Sequence, residues 1–280
     1  MIAKKQDNDT GKSSTLDIDI EMLVDEHEEE VSEDGKTVRR QGIYLLPNLF
    51  TTGALFAGFY AAIAGMRGDY EAGAIAIFLA MVFDGLDGRI ARLTNTSSKF
   101  GAEYDSLSDM VSFGVAPALL VYSWGLSVLG KFGWSVSFIY VACAALRLAR
   151  FNTQIDVADK AWFTGLASPA AAAGVAAMIW VFNDIGWAGA SLPYEISVLA
   201  AVITALTGIL MIANVPFYSF KTIDLHGRVP FAAVILVVLI FSLVTVDPPR
   251  VLLVAFLLYA ISGPLMLLRR IRKQDLPSDE

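Results

Sequence analysis

Eight apolar stretches follow one another along most of this chain, and each is long enough, or nearly long enough, to cross a hydrocarbon layer about 30 Å thick as a helix. They centre on residues 45–65, 72–94, 104–129, 133–153, 165–186, 192–214, 229–246 and 250–268. Hydrophobic residues make up 55% of the chain, whereas a soluble domain is usually less than half apolar. The pattern therefore predicts an all-α fold, a polytopic transmembrane helical bundle of about eight spans.

The charged residues outside these stretches indicate how the bundle is oriented. Residues 1–41 are polar, with an acid-rich stretch from Asp17 to Asp34, and they have too little apolar surface to offset the entropy of ordering. We predict that they form a disordered cytoplasmic tail. Lys and Arg concentrate on the cytoplasmic side of membrane proteins, and here most of them lie at the alternate span ends that an even number of spans would place beside the N-terminus. Both termini, including the polar residues 273–280, are therefore predicted to be cytoplasmic.

The second apolar stretch ends in a way that is unusual for a span. Its apolar run, residues 72–83, gives way to the segment DGLDGRIAR at residues 84–92. Charged groups at membrane depth are costly and usually mark function. Asp84 and Asp87 are three residues apart and Arg92 follows about one turn later, so a helix would place two carboxylates and a guanidinium on one face.

The third stretch carries a second acidic face. Gly101, Asp105 and Asp109 are spaced four residues apart, so that a small residue and two carboxylates line up on successive helical turns. Four crowded carboxylates would repel one another and take up protons unless positive charge lay between them. Because the nearby ligands are oxygens, without His or Cys, the pattern indicates two hard divalent cations, Mg²⁺ or Mn²⁺, that would clamp a diphosphate.

Small and basic residues of the two segments suit a bound nucleotide. Gly88, Ala91 and Gly101 would let phosphates approach the helix backbones closely. Arg92 would then pair with a phosphate oxygen. Intramembrane acids also line proton and ion pathways, so a transporter remains an alternative interpretation of the carboxylates taken alone.

The spacing of the whole set is more specific than its parts. Eight positions are fixed over residues 84–109, namely Asp84, Asp87, Gly88, Ala91, Arg92, Gly101, Asp105 and Asp109. This string resembles the motif of the CDP-alcohol phosphatidyltransferase family without a departure. The resemblance implies metal binding by Asp84, Asp87 and Asp105. It implies for Asp109 both metal coordination and the work of a general base, and for Gly88 and Arg92 contact with the CDP moiety.

The same resemblance implies a fold and a setting. The family fold is a membrane bundle of six core helices, usually a homodimer, with a polar cavity open to the cytoplasm. Residues 42–225 would form that core, and residues 226–272 would add two C-terminal helices. The implied setting is a bacterial cytoplasmic membrane, with the active site facing the cytoplasm and CDP-diacylglycerol as a substrate. No nucleic acid is expected among the partners.

Three further segments are similar to those of membrane-embedded phosphatidylserine synthases, namely residues 98–117, 147–152 and 163–172. One departure is Ala167, where proline is common. This similarity implies that the acceptor is L-serine and that the products are phosphatidylserine and CMP. Glycerol 3-phosphate, inositol phosphate and choline remain alternative acceptors, because the shared motif identifies the nucleotide rather than the alcohol.

Candidate residues for the acceptor and the nucleoside lie outside the motif. Serine brings a carboxylate, so its pocket should hold a cation, and the candidates are Arg147, Arg150 and Lys221. Each is also explained as a basic anchor at a helix end. Asn48 and Thr51, at the start of the first span, are candidates for bonds to the cytosine or ribose. Helix capping is the other interpretation of this pair.

Overall fold

The chain divides into two units, residues 1–43 and residues 44–280. In this computed structural model the described residues are 30–33, 36–39, 45–94, 98–154, 162–218 and 231–274. The first unit holds an antiparallel pair of strands, β1 (Glu30–Glu33) and β2 (Lys36–Arg39), within the segment that the sequence predicts to be a disordered tail. The remainder of that tail lies outside the described residues, and its disorder stays a prediction.

Helices dominate the second unit, as the sequence predicts. They are α1 (Leu45–Arg67), α2 (Tyr70–Leu93), α3 (Lys99–Asp109), α4 (Ala116–Trp124), α5 (Lys131–Gln154), α6 (Ser168–Asp184), α7 (Tyr194–Ile212), α8 (Phe231–Val246) and α9 (Pro248–Gln274). A π-helical segment, Met110–Val115, joins α3 to α4 in one continuous helix. Two short strands, β3 (Trp162–Thr164) and β4 (Pro216–Tyr218), pair antiparallel. The prediction of a helical bundle is confirmed, and the strand pairs are additions to it.

Five helical segments of the described residues are long and apolar enough to cross a membrane, which makes the chain a multi-pass membrane protein. They are Pro47–Arg67, Phe100–Trp124, Lys131–Thr153, Tyr194–Ile212 and Pro248–Arg269. The difference from eight has physical reasons, since α6 has 17 residues and α8 has 16, while α2 carries charged residues through its last turns. The count of eight spans stays a prediction.

Small residues allow α1 and α2 to pack against each other along their lengths. Helix α1 buries Ala54, Ala57, Ala61 and Ala64, which recur at intervals of three and four residues and so form one stripe of the helix. Helix α2 meets this stripe with Gly73, where an added Cβ would lie 3.2 Å from the Ala61 carbonyl oxygen. The close approach fixes the start of α1 beside the charged end of α2.

Helix α6 occupies the centre of the bundle, where it contacts α2, α4, α7 and α9. A helix that is apolar all round is stable only when it is enclosed, and α6 is rich in small apolar side chains. Those that are fully buried include Ala171, Ala172, Ala173, Ala176 and Ala177. The helix that contains the second half of the predicted acceptor segment is therefore enclosed by its neighbours.

The polar helix ends meet at one end of the bundle. A side-chain hydrogen bond joins the start of α1 to the end of α2, and another joins the end of α5 to the start of α6. Strand β3, which leads into α6, pairs with β4, which follows α7. The motif segments and the predicted acceptor segments are thereby brought to the same end.

Candidate active site

Three carboxylates of the predicted metal site converge. Asp84 comes from α2, whereas Asp105 and Asp109 come from successive turns of α3. Each offers a carboxylate oxygen, and these three atoms all lie within 4.8 Å of one another. All three side chains are half-buried, which reduces the screening of their charges by water. The two acidic faces that the spacing predicts therefore meet.

Asp87 has a different neighbour. It is 5% exposed, and it accepts a hydrogen bond of 2.7 Å from the Thr51 hydroxyl of α1. It lies outside the group formed by the other three aspartates in the described part of the chain. The structure thus places Asp84 and Asp87 beside different partners, although both project from the same end of α2.

Polar contacts with α1 hold α3 in register. The Ser98 side chain caps the start of α3 by accepting a hydrogen bond of 2.8 Å from the Gly101 backbone N–H. Ser108, directly before Asp109, donates to the Thr51 carbonyl at 3.1 Å. The hydroxyl groups of Tyr104 and Thr52 lie 2.9 Å apart. Tyr104 and Ser108 each directly precede an aspartate, so these contacts set the rotation of α3 that places Asp105 and Asp109 on the adjacent face, about 100° round the helix.

A cleft opens beside the carboxylates between α1, α2 and α3. Its lining consists of Pro47, Asn48, Thr51, Asp87, Gly88, Ala91, Ser98, Gly101, Ala102 and Asp105. All but one of the residues that the sequence predicts to bind CDP or phosphate are in this lining. Asp105 belongs to both the cleft and the carboxylate group, so the two are continuous.

Arg92 is the predicted phosphate-binding residue that does not line the cleft. Its side chain is exposed, and its Nε donates to the Gly88 carbonyl at 2.8 Å. The guanidinium folds back along α2 and stays within one helical turn of Gly88. Its phosphate-binding role stays a prediction.

Substitution of Gly88 tests whether the cleft binds a nucleotide. A Cβ added there would meet none of the described atoms within 4 Å, and Ala stabilises a helix interior by about 1 kcal/mol relative to Gly. We expect Gly88→Ala to leave the thermal unfolding midpoint unchanged or raised, while the KM for the nucleotide substrate rises by about tenfold because the methyl group enters the cleft. Gly85→Ala is the matched control, because that position is equally open but lies outside the cleft lining. Equal KM values for the two variants would contradict the assignment.

Arg147 of α5 lies close enough to the carboxylates for its charge to act on Asp109. Its guanidinium interacts electrostatically with Asp109, and its Nη1 donates to the Ser168 hydroxyl at 2.9 Å. Its Nε is buried and has no hydrogen-bond partner among the described residues. Buried donors are usually paired, so this N–H is suited to a ligand.

Arg150 instead donates hydrogen bonds to backbone carbonyls. Its two terminal nitrogens donate to the carbonyls of Thr164, Met211 and Ile212 at 2.9, 3.4 and 3.0 Å. Carbonyls at the end of a helix lack intrahelical donors, so Arg150 satisfies the end of α7 and ties it to β3. The acceptor role predicted for Arg150 competes with these bonds and stays a prediction. Lys221, the third candidate, lies outside the described residues.

Gly165 is required by this arrangement. Its φ is +86°, a left-handed conformation that glycine adopts without steric cost. An added Cβ would also collide with the Met211 carbonyl oxygen and would lie 2.9 Å from an Arg150 nitrogen. The glycine of the predicted acceptor segment therefore serves the contact between β3 and the end of α7.

Several residues beside Arg147 were not predicted. Tyr140, two turns before Arg147 on the same face of α5, and Tyr259, from α9, both lie near the Arg147 guanidinium. Tyr259 also packs on Phe217 of β4, with ring centroids 5.5 Å apart. No local sequence motif singles out Tyr259, because its position follows from the packing of α9 against α6 and β4.

The carboxylate group fits a hard divalent cation. Its three ligand atoms are oxygens and lie close enough together to share an ion, which is the donor set that Mg²⁺ and Mn²⁺ prefer. The fold and the site therefore define a multi-pass membrane protein whose aspartate group could hold a metal ion beside a cleft.

Comparison with known proteins identifies the family. The model of the family described as CDP-alcohol phosphatidyltransferase matches residues 44–218. A Helicobacter pylori protein named CDP-diacylglycerol--serine O-phosphatidyltransferase is 37% identical over 221 residues, which cover 79% of this chain and 90% of the relative. A Methanocaldococcus jannaschii protein of the same name is 35% identical over 193 residues, which cover 69% of this chain and 83% of the relative. The chain belongs to the CDP-alcohol phosphatidyltransferase family.

One solved structure also resembles the chain. It is the crystal structure of Mycobacterium tuberculosis phosphatidylinositol phosphate synthase with CDP-DAG bound, at 17% sequence identity. The alignment covers 60% of this chain and 80% of that chain, with a TM-score of 0.43.

Proposed function

We propose that this chain transfers the phosphatidyl group of CDP-diacylglycerol to the hydroxyl of L-serine, which yields phosphatidylserine and CMP. The observation that carries the proposal is the convergence of Asp84, Asp105 and Asp109 beside a cleft lined by the small residues of the family motif. Relatives that carry the serine transferase name, at 35 to 37% identity over most of their lengths, support L-serine as the acceptor.

The cleft receives the CDP end of the donor. Asn48 and Thr51 line it from α1, and Gly88 and Ala91 line it from α2. The side chains from α1 supply polar groups for the nucleoside, and the small residues from α2 leave room for phosphates near the helix backbone. Because Asp105 lies at the junction of the cleft and the carboxylate group, the diphosphate comes to rest beside the aspartates.

Divalent cations held by Asp84, Asp105 and Asp109 would, when bound, neutralise the diphosphate and the charge that develops during transfer. By resemblance to the family, the site holds two ions, Mg²⁺ or Mn²⁺, with Asp87 as a fourth ligand. The carboxylates themselves fix the position of the diphosphate relative to α2 and α3.

Asp109 acts as the general base. The serine hydroxyl oxygen forms a bond to the phosphorus that carries the diacylglycerol, and its proton passes to the Asp109 carboxylate. The bond from that phosphorus to the bridging oxygen breaks, and CMP leaves with the bonding electron pair. The transfer needs no covalent intermediate on the protein.

Arg147 binds the acceptor carboxylate. Its Nε is buried without a partner among the described residues, and its guanidinium interacts electrostatically with Asp109. A serine whose carboxylate pairs with this guanidinium would therefore present its hydroxyl close to the base. Ser168, which accepts a hydrogen bond from Arg147 at 2.9 Å, holds the guanidinium in place.

Replacing Arg147 with Ala is expected to raise the KM for serine. A hydrogen bond to a charged group contributes about 1.5 to 3 kcal/mol, so the rise should be roughly 10- to 100-fold. The KM for CDP-diacylglycerol should change by less than about threefold, because the nucleotide cleft is lined by other residues. Steady-state kinetics with each substrate varied in turn measure both values. A larger effect on the KM for CDP-diacylglycerol would assign Arg147 to the nucleotide side.

Arg150→Ala is the comparison variant. Because Arg150 donates to carbonyls of β3 and α7, its loss should lower the thermal unfolding midpoint in detergent more than Arg147→Ala does. A selective rise in the KM for serine with an unchanged midpoint would instead support the acceptor role first predicted for Arg150.

An acceptor panel tests the proposed function directly. Purified protein in detergent micelles receives CDP-diacylglycerol, Mn²⁺ or Mg²⁺, and one alcohol at a time, and CMP release is measured. We expect the fastest release with L-serine, together with formation of phosphatidylserine. Faster release with glycerol 3-phosphate, inositol phosphate or choline would show that L-serine is not the preferred acceptor, although phosphatidyl transfer would still be the reaction. Ion flux in liposomes without CMP release from any alcohol would overturn the enzyme assignment.

We also propose eight spans with both termini in the cytoplasm, so that the active site faces the cytoplasm across a bacterial inner membrane. Support for this orientation comes from Arg89, Arg92, Arg147 and Arg150, which lie at the same end of the bundle as the carboxylates, because basic residues favour the cytoplasmic side. A homodimer is proposed on the family resemblance. Cysteine labelling from each side of the membrane tests the orientation.

A further inference from the structure

The long helix that carries Asp105 and Asp109 is interrupted directly after Asp109. Residues Met110–Val115 form a π-helical segment, in which the Ala116 N–H bonds to the Val111 carbonyl five residues earlier. Short π-helical segments often lie at functional sites. Here the change from α to π geometry begins at the residue next to the proposed general base.

Pro117 explains why the helix changes geometry at this point. Proline has no backbone N–H, and within a helix its ring clashes with the carbonyl four residues earlier. For Pro117 that carbonyl belongs to Phe113, inside the π-helical segment. The Phe113 carbonyl therefore lacks the donor that an ordinary α-helix would provide.

Tyr140 of α5 supplies the missing donor. Its hydroxyl donates to the Phe113 carbonyl oxygen at 3.1 Å. Tyr140 and Phe113 are both 0% exposed, so water cannot take the place of this hydroxyl. A buried carbonyl left without a donor costs about 1 to 3 kcal/mol. The Tyr140 hydrogen bond therefore offsets the cost of burying the Phe113 carbonyl without its usual helical donor, and so stabilises the π-helical turn.

The widened turn keeps both halves of the long helix on α1. Ser108 donates to the Thr51 carbonyl at 3.1 Å, and Ser112 donates to the Ala54 carbonyl at 3.0 Å. Further along, Leu120 packs so closely on α1 that an added Cβ at Gly65 would lie 3.2 Å from its Cα. These contacts define one stripe that faces α1 from end to end.

An uninterrupted α-helix could not maintain that stripe. At about 100° per residue, the side chains of Ser108 and Leu120 would point in directions that differ by about 120° around the helix axis. The extra residue of a π-helical turn absorbs about 100° of this difference. Without it, docking the apolar half on α1 would rotate Asp105 and Asp109 by about 100° away from Asp84.

We infer that Tyr140 is a positioning residue for the carboxylate site, because its hydroxyl holds the π-helical turn that aims Asp109 and Asp105 at Asp84. The inference rests on the proposed function of those aspartates. Tyr140 acts through the helix backbone and touches neither substrate nor cation in this assignment. It adds to the family motif a residue from α5, which the motif does not include.

The test is the Tyr140→Phe variant of the full chain, purified in detergent. The Mn²⁺ concentration that half-saturates binding, measured by electron paramagnetic resonance without substrate, should rise by about tenfold. The kcat should fall by a similar factor, whereas the KM for serine should stay within twofold of the wild-type value. Because Mn²⁺ binding is measured without turnover, it tests the inference even if the proposed reaction fails.

Tyr70→Phe is the matched control. The Tyr70 hydroxyl donates to the Ser123 carbonyl at 3.0 Å, so this variant also removes a tyrosine donor from a carbonyl of the same long helix. It does so at the end of the helix remote from the aspartates. We expect its Mn²⁺ binding and kcat to stay within twofold of wild type, whatever its thermal unfolding midpoint.

A second variant separates positioning from stability. Pro117→Ala restores an N–H that can bond to the Phe113 carbonyl and straighten the helix. We expect weaker Mn²⁺ binding and a lower kcat when both are measured well below the thermal unfolding midpoint of the variant. Wild-type Mn²⁺ binding in Tyr140→Phe would overturn the inference, as would losses of Mn²⁺ binding that only follow the unfolding midpoint.

Discussion

Asp109→Asn should lower kcat by about 10²- to 10⁴-fold, the range in which a positioned general base contributes to catalysis. The amide keeps the size of the side chain and removes its ability to accept the serine proton. Because the nucleotide cleft is lined by other residues, the dissociation constant for CDP-diacylglycerol at saturating Mn²⁺ should change by less than about tenfold. Rapid-quench measurement of CMP release and equilibrium binding of the donor give the two values separately.

Glu103→Gln is the control for Asp109→Asn. It removes one carboxylate from the same helix, at an exposed position outside both the cleft lining and the carboxylate group. Its kcat should match wild type within about twofold. If Asp109→Asn also turned over at the wild-type rate, Asp109 would be excluded as the base.

Asp84→Asn and Asp105→Asn should weaken divalent-cation binding by more than about 100-fold, because changes to residues behind the metal ligands already cost about 10- to 100-fold. Each variant removes one carboxylate of the group whose oxygens lie within 4.8 Å of one another. Activity at limiting Mn²⁺ should vanish, and it should recover in part when the Mn²⁺ concentration is raised.

The position of the lost ligand makes this second prediction specific. Asp84 lies on α2 and Asp105 on α3, so similar losses from both variants require that the two helices share one site. Loss of Mn²⁺ binding from only one of the variants would place the ions on a single helix and would contradict the shared site.

The sequence predicts the helices of the bundle and three members of the carboxylate group, because both depend on local patterns. Apolar stretches of span length locate the helices, and intervals of three and four residues bring Asp84, Asp105 and Asp109 onto the facing sides of α2 and α3. Part of the cleft follows from the same spacing, since Gly88 leaves open space on its face of α2.

Individual partners could not be predicted, because they depend on how the helices dock. The bond between Thr51 and Asp87 joins residues far apart in sequence, and a short threonine at the start of a helix has several ordinary explanations. Arg150 shows the same limit. A basic residue at a helix end suggests a ligand contact or a membrane anchor, whereas its carbonyl partners lie on β3 and α7.

The π-helical turn is a third case, and only part of it is visible in the sequence. Pro117 within a helical stretch predicts a disturbance of the helix. The form of that disturbance depends on Tyr140, which reaches the Phe113 carbonyl from α5. Packing also affects the span count, since α6 is enclosed by other helices and has 17 residues, at the short end of the range for a membrane span.

Mn²⁺-dependent CMP release is the most direct test of the central claim that the carboxylates of α2 and α3 bind divalent cations and with them the diphosphate of the donor. Purified protein is treated with a chelator, dialysed, and assayed with CDP-diacylglycerol and L-serine while Mn²⁺ is returned in steps. We predict no CMP release before Mn²⁺ is added, full recovery afterwards, and no recovery for Asp84→Asn at the Mn²⁺ concentration that saturates wild type. Undiminished CMP release after thorough chelation would contradict the account.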